Sequence, residues 1–155
     1  MASKRIAESE LIINPNGRIY HLNLSPEMVA DTIIVVGDPD RVPKISRHFD
    51  KVHYQVANRE LVTHTGEIGG TEISVISSGM GTDNVELLMT ELDALVNIDF
   101  QSRTVKRKLK KLRIVRIGTS GCMQADIPLD ALLVSRAALG LDNLCLLYTS
   151  DAADE

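Results

Sequence analysis

Two short segments of the chain combine glycine with arginine, a pairing that suits the binding of an anion. Gly37–Arg41 (GDPDR) directly follows the apolar run Thr32–Val36, and Arg116–Gly121 (RIGTSG) directly follows Leu112–Val115. Glycine lets backbone N–H groups approach a ligand closely, and the planar guanidinium of arginine matches phosphate oxygens. The two segments therefore predict one phosphate held between the guanidinium groups of two neighbouring turns.

Strand-like and helical segments alternate along the chain and would position both motifs. Apolar, β-branched runs are typical of buried strands, and apolar residues at helical spacing indicate amphipathic helices. This alternation predicts an α/β sheet covered on both faces, with ligands at the carboxyl ends of its strands. The predicted strands are Thr32–Val36, Val52–Val56, Glu60–Thr65, Thr71–Ser77, Leu112–Ile117 (buried) and Leu132–Ser135, and the predicted helices run from a cap at Asp38 or Asp40 to about Phe49 and over Thr82–Ile98.

Composition excludes several classes of protein. The 155 residues carry a net charge of −4, which gives no overall attraction to nucleic acid. The basic segment Arg103–Arg113 has no aromatic residues between its charges, so we interpret it as a solvated helix end or loop rather than a polyanion site. No apolar run is long enough to cross a membrane, and Met1–Glu10 does not resemble a secretory signal. With only two cysteines, the sequence predicts a reducing cytoplasm and no metal centre.

The end of the chain has an unusual character. The segment Cys145–Glu155 (CLLYTSDAADE) matches the in-frame translation of a sequencing adapter, and the other interpretation is an ordinary polar C-terminus. We expect residues 1–144 to be the N-terminal portion of one domain, 145–155 to be a non-native tail, and the natural protein to be longer.

Five motifs, taken in order, resemble those of the nucleoside phosphorylases, and the uridine phosphorylase branch is the most similar. The resemblance runs from about Ile19 to Asp142. It departs from the family at Asp99–Leu112, which is longer and more basic than the corresponding link. The motifs are YHLNL at 20–24, GDPDR at 37–41, NRE at 58–60, GMG at 79–81 and RIGTSG at 116–121.

The resemblance implies a fold, a reaction and an assembly. The fold is a three-layer structure with a mixed central sheet between helices, of which this chain would hold part. In the reaction, inorganic phosphate attacks the anomeric carbon of a nucleoside and releases the free base and ribose 1-phosphate. No cofactor is implied, because phosphate is a co-substrate. The assembly is a homo-oligomer based on dimers, either a dimer or a hexamer.

The resemblance also assigns roles to individual residues. Arg116 and Thr119 are the expected catalytic residues, and His21 and Met80 are expected to contact the ribose. His21 is expected to cross a subunit interface to the ribose 5′-hydroxyl, and Arg59 to reach phosphate in the neighbouring site. The expected phosphate-binding residues are Gly37, Arg41, Arg59, Arg116, Thr119, Ser120 and Gly121.

Some alternatives remain open at this stage. Arg41 could instead pair with Asp38 on the helix face. Glu60 matches a side chain that holds a monovalent cation between subunits in some relatives, but Asn84 stands where a hydroxyl residue is expected, so no metal is predicted. The base specificity rests on branch similarity alone. A purine nucleoside phosphorylase and a non-catalytic domain that binds phosphate or a nucleotide are the alternative functions.

Overall fold

The computed structural model describes residues 4–138 of the chain. Within this range, the residues up to Ile117 form one compact unit, and those from Gly118 onward belong to a second. The strands are β1 (Thr32–Val36), β2 (Lys51–Asn58), β3 (Leu61–Ile68), β4 (Thr71–Ser77), β5 (Ile98–Asp99), β6 (Thr104–Val105) and β7 (Arg113–Ile117), and the helices are α1 (Arg41–Ser46) and α2 (Thr82–Asn97), with a 3₁₀ turn at Pro26–Met28.

Five of the strands form a mixed sheet in the order β2-β3-β4-β1-β7. Strands β2, β3 and β4 form an antiparallel meander, whereas β1 runs parallel to both of its neighbours, β4 and β7. The carboxyl ends of β4, β1 and β7 therefore lie at the same edge of the sheet.

The side chains of β1 alternate between two hydrophobic clusters on opposite faces of the sheet. Ile33 and Val35 pack in a large cluster that includes Leu88, Leu92 and Leu95 of α2. Ile34 and Val36 pack in a smaller cluster with Val42 of α1. Because strand side chains alternate in direction, β1 is buried on both sides and reads as a continuous apolar run. The predicted sheet with helices on both faces is confirmed.

Three details of the predicted secondary structure are wrong. Helix α1 ends at Ser46, and Phe49 packs against the same cluster from the turn that follows it. All five residues of β7 are exposed, because among the described residues this strand has a partner only on its β1 side. Leu132–Ser135 forms no strand, since this short apolar segment has no strand partner within residues 4–138.

The basic segment begins with a buried arginine. Arg103 donates hydrogen bonds from Nε to the Ile6 carbonyl at 3.1 Å, and from Nη2 to the carbonyls of Ala7, at 3.0 Å, and Leu11. Arg103 therefore attaches the N-terminal segment to the rest of the first unit rather than offering its charge to a ligand.

Neither helix in the described part of the chain has the length and apolar character needed to cross a bilayer.

Candidate functional site

Glycine residues follow β1 and β4 where these parallel strands end, and Arg116 lies on β7 beside them. A β-carbon added at Gly37 would stand 3.8 Å from the Gly79 carbonyl oxygen and 3.9 Å from Arg116 Nη2. The Ser78 N–H donates to the Val36 carbonyl at 2.8 Å and holds the two strand ends together. Gly37, Gly79 and Arg116 thus meet at one sheet edge, and we call them the edge cluster.

The edge cluster has the features of an anion site. Arg116 is exposed, and no ion pair involving it is found among residues 4–138. The prediction of a buried strand at Leu112–Ile117 implies that the charge of Arg116 is buried. This prediction of burial is wrong, because Arg116 is exposed. Because the absence of a side chain at Gly37 leaves room beside the guanidinium, phosphate oxygens can approach the arginine and the backbone together.

The turn between β1 and α1 brings Arg41 to the start of a helix. The Asp38 Oδ1 atom accepts a hydrogen bond from the Asp40 N–H at 2.9 Å, and the Asp38 carbonyl accepts one from the Arg41 N–H at 3.0 Å. Neither aspartate caps the helix through the predicted side-chain bond, since Asp40 makes none and Asp38 closes the turn instead. No ion pair joins Arg41 to Asp38 within the described residues, so the alternative of a surface pair receives no support.

The loop after β4 presents Met80 to solvent. Gly79 has a φ of +67°, which favours glycine, and the Met80 side chain is 92% exposed. An exposed methionine beside an anion site can contact the apolar face of a sugar. Asn84 fixes the loop, because its Nδ2 donates to the Met80 carbonyl and to Glu60 Oε1, both at 3.1 Å.

The contact between Asn84 and Glu60 bears on the monovalent cation site considered for Glu60 in the sequence analysis. An amide N–H directed at a carboxylate oxygen competes with a cation for that oxygen. These two residues therefore do not fit a monovalent cation site. No group of three or more histidine, cysteine, aspartate or glutamate side chains within residues 4–138 is arranged to hold a metal.

A second group of polar residues surrounds a cavity of about 210 Å³ in the first unit. His21 and Arg59, which the sequence assigns together to a neighbouring subunit's site, both line it. Arg59 has a φ of +56° in the two-residue turn between β2 and β3. This conformation is unfavourable for a residue with a β-carbon and is concentrated at functional sites. The full lining is Asn14, Tyr20, His21, Asn23, Asn58 and Arg59, which we call the His21 cavity.

The same turn connects the His21 cavity with the edge cluster. Arg59 lines the cavity, whereas the next residue, Glu60, lies against Gly79, where an added β-carbon would be 2.7 Å from Glu60 Cγ. The NRE motif therefore places one charged residue, Arg59, at the His21 cavity and the other, Glu60, beside the edge cluster.

His21 is held by a residue that the sequence analysis missed. Glu91 of α2 is buried, and its Oε1 accepts hydrogen bonds from His21 Nδ1 at 2.8 Å and from the His21 N–H at 3.0 Å. Its Oε2 accepts from the Leu22 N–H at 2.7 Å. A signal was present in the sequence, because Glu91 interrupts the apolar face formed by Leu88, Leu92 and Leu95.

Thr119, Ser120 and Gly121 belong to the second unit. The described part of that unit, residues 118–138, has no helix or strand, and these three residues are exposed there. Their contribution to phosphate binding stays a prediction.

Comparisons with known proteins agree with these features. The model of a family described as the phosphorylase superfamily matches residues 31–153. This range includes most of the segment 145–155, whose origin stays a prediction.

Individual proteins show the same relationship. The chain is 33% identical over 132 residues to a uridine phosphorylase of Thermococcus kodakarensis, a match that covers 85% of this chain and 43% of the relative. It is 30% identical over 120 residues to a DeoD-type purine nucleoside phosphorylase of Listeria welshimeri, covering 76% of this chain and 46% of the relative.

The fold comparison includes a Trypanosoma brucei nucleoside phosphorylase whose structure is described as showing uridine phosphorylase activity. Its TM-score is 0.83 at 36% identity, and the match covers 89% of this chain and 47% of that one. The chain thus spans less than half the length of these relatives. The family match over most of the chain, and a fold with glycine turns and an arginine at one sheet edge, show that this chain belongs to the phosphorylase superfamily.

Proposed function

We propose that the protein encoded by this gene catalyses the phosphorolysis of a nucleoside, with uridine as the preferred substrate. The observation that carries this proposal is the meeting of Gly37, Gly79 and Arg116 at the carboxyl edge of the sheet. The uridine branch is supported by the relatives from Thermococcus kodakarensis and Trypanosoma brucei.

The proposed reaction needs positioning and charge rather than a protein nucleophile. A phosphate oxygen forms a bond to the anomeric carbon, the glycosidic bond breaks, and its electron pair leaves with the base, which takes up a proton. Arg116 and Arg41 hold the phosphate, Thr119 with the backbone at Ser120 and Gly121 completes its binding, and Met80 contacts the sugar. Such groups accelerate a reaction by fixing the reactants and stabilising the developing charge, so no cofactor is required.

The His21 cavity supports a role for a second subunit. His21 is partly exposed and Arg59 is exposed, and the two share one cavity on the surface of the first unit. In the proposed oligomer, either a dimer or a hexamer built from dimers, His21 reaches the ribose 5′-hydroxyl of the neighbouring site and Arg59 reaches its phosphate. A cytoplasmic location stays a prediction.

A purine nucleoside phosphorylase is the second candidate, and the match to the Listeria welshimeri protein favours it. The two candidates differ in the base they accept and share the phosphate site.

The test follows the release of uracil from uridine, with and without phosphate, beside inosine as the purine substrate. It is run on the 155-residue chain and on the longest product of its gene. Because the chain spans under half of its relatives' length, we expect the 155 residues to be inactive alone.

Phosphate-dependent release of uracil by the longer product would support the proposal, and turnover of inosine alone would favour the purine candidate. A folded protein that binds phosphate but turns over neither nucleoside would contradict both and leave a binding domain.

A further inference from the structure

We infer that Glu91 is a positioning residue that fixes the ring of His21 for the recognition of the sugar. This inference rests on the proposed function, since it concerns how His21 meets the ribose 5′-hydroxyl. Glu91 itself contacts no substrate in this arrangement and acts through the histidine.

The environment of Glu91 shows why its carboxylate is informative. Glu91 is only 8% exposed, and it lies on the face of α2 that carries Leu88 and Leu92, both fully buried. Burial of a carboxylate is unfavourable unless hydrogen-bond donors compensate for the lost water. Here three donors do so: the N–H groups of His21 and Leu22 and the ring nitrogen Nδ1 of His21.

These bonds determine the state of the imidazole. Because a carboxylate oxygen can only accept, Nδ1 must carry the hydrogen of the 2.8 Å bond to Glu91 Oε1. The other ring nitrogen, Nε2, is then the one left for a ligand, and in the neutral ring it is an acceptor. The ribose 5′-hydroxyl can donate a hydrogen bond to this Nε2 atom.

The backbone on both sides of the ring is also held. Asn58 Nδ2 donates to the His21 carbonyl at 2.7 Å, so the N–H and the C=O of this residue are both occupied. The neighbouring Tyr20 ring packs edge to face on the imidazole with 4.7 Å between ring centroids. The His21 side chain nevertheless keeps 33% of its surface exposed, where it lines the cavity with Arg59. A histidine fixed at so many points and still open to solvent is suited to present one nitrogen to a ligand.

The substitution Glu91→Gln tests this in the active form of the protein. All three groups facing the side chain are donors, so the new amide NH₂ must face one of them. When it faces His21, Nδ1 loses its acceptor and the tautomer is no longer fixed, and when it faces Leu22, it displaces the backbone next to the ring. With uridine, we expect His21→Ala to lower kcat/KM about tenfold and Glu91→Gln to lower it about three- to tenfold. With 5′-deoxyuridine, which lacks the hydroxyl, both variants should match the unmodified protein within about twofold.

Two controls separate positioning from stability. Leu92→Ala removes a buried side chain of the same helix without touching the bonds to His21, so any loss should be equal for the two substrates. Adding Glu91→Gln to His21→Ala should cause no further loss, because Glu91 acts through that ring. Equal losses on both substrates, or additive losses in the double variant, would overturn the inference.

A readout independent of activity distinguishes this inference from the proposed function. The ¹⁵N spectrum of the imidazole reports which ring nitrogen carries hydrogen. We expect His21 to be the Nδ1–H tautomer in the unmodified protein and a mixture in Glu91→Leu, which has no acceptor for Nδ1. No turnover of any nucleoside would refute the proposed function alone, whereas an unchanged spectrum in Glu91→Leu would refute the role of Glu91.

Discussion

Gly37 and Arg116 meet across two neighbouring parallel strands, and a β-carbon at residue 37 would lie 3.9 Å from Arg116 Nη2. Arg116 pairs in register with Val35, two residues before the glycine, so the guanidinium extends along the strand towards the edge. The arginine and the open backbone therefore approach the same ligand position.

Removal of the Arg116 side chain should weaken phosphate binding much more than folding. In the active form, we expect Arg116→Ala to raise the KM for phosphate by about 10- to 100-fold, the range for loss of a charged hydrogen bond. The melting temperature should change little, because the side chain is exposed. Arg113→Ala, at the opposite end of the same strand, is the matched control and should leave the KM unchanged. A parallel loss of phosphate affinity and stability would favour a structural role.

Gly37→Ala tests the space beside the guanidinium. The new methyl group would make ordinary contacts of 3.8 and 3.9 Å, so the fold should tolerate it. The methyl would nevertheless occupy the approach to the backbone and to Arg116, and we expect the KM for phosphate to rise several-fold. Phosphate titration and thermal denaturation of the same sample measure both effects. An unchanged KM would mean that the anion does not approach on this side.

Gly79→Ala should destabilise the protein strongly. A β-carbon there would lie 2.7 Å from Glu60 Cγ and 2.9 Å from Asn84 Nδ2, at a φ of +67°. The strained backbone costs about 1–2 kcal/mol and the clash about 1–3 kcal/mol more. Gly70→Ala is the matched control, because its φ is +75° but nothing lies within 4 Å. Denaturant unfolding should show a much larger loss at residue 79, and equal losses would show that the clash is relieved by movement of the loop.

The half-buried His64 should make stability depend on pH. Burial lowers the pKa of His64 below its ordinary value of 6.5, and its Nδ1 lies 2.7 Å from Ser46 Oγ. The unfolded chain then takes up a proton at a higher pH than the folded one does. The stabilising contribution is complete above pH 6.5 and is lost as the pH falls from there through the lower pKa of the folded state.

Denaturant unfolding at pH 7.5, 6.0 and 5.0 measures this dependence. His64→Gln should flatten it, while the exposed His48→Gln should not. A pH dependence that is unchanged in His64→Gln would assign it to other groups.

The 155-residue chain should associate with itself through β7. In the described residues this strand pairs with β1 alone, and Val115 and Ile117 are 54% and 47% exposed. An exposed apolar edge strand can pair with another chain, and a lysine on it opposes such pairing. We expect Val115→Lys to reduce concentration-dependent light scattering, whereas Val105→Lys, on the separate two-stranded sheet, should not. Equal scattering by the two variants would contradict a role for β7.

Much of the secondary structure could be predicted because its signals are local. The β-branched run Thr32–Val36 and the segment Thr71–Ser77 form strands with the predicted bounds, and Thr82–Asn97 differs from the predicted helix by one residue. Where a local pattern has no strand partner within residues 4–138, the prediction is wrong, as at Leu132–Ser135. Strand formation requires pairing, and a short apolar run does not contain that information.

The family, the alternation of strands and helices, and the types of residue at the sheet edge can all be inferred from the amino-acid pattern. Which of these residues meet depends on the packing of the folded chain. Arg116 lies beside Gly37 because β7 pairs with β1, and Glu91 holds His21 across 70 positions of the chain. The packing also leaves the charge of Arg116 exposed and buries that of Glu91. The physical reason is that strand order and helix packing bring distant residues together, whereas sequence patterns report only the residues within a few turns of each other.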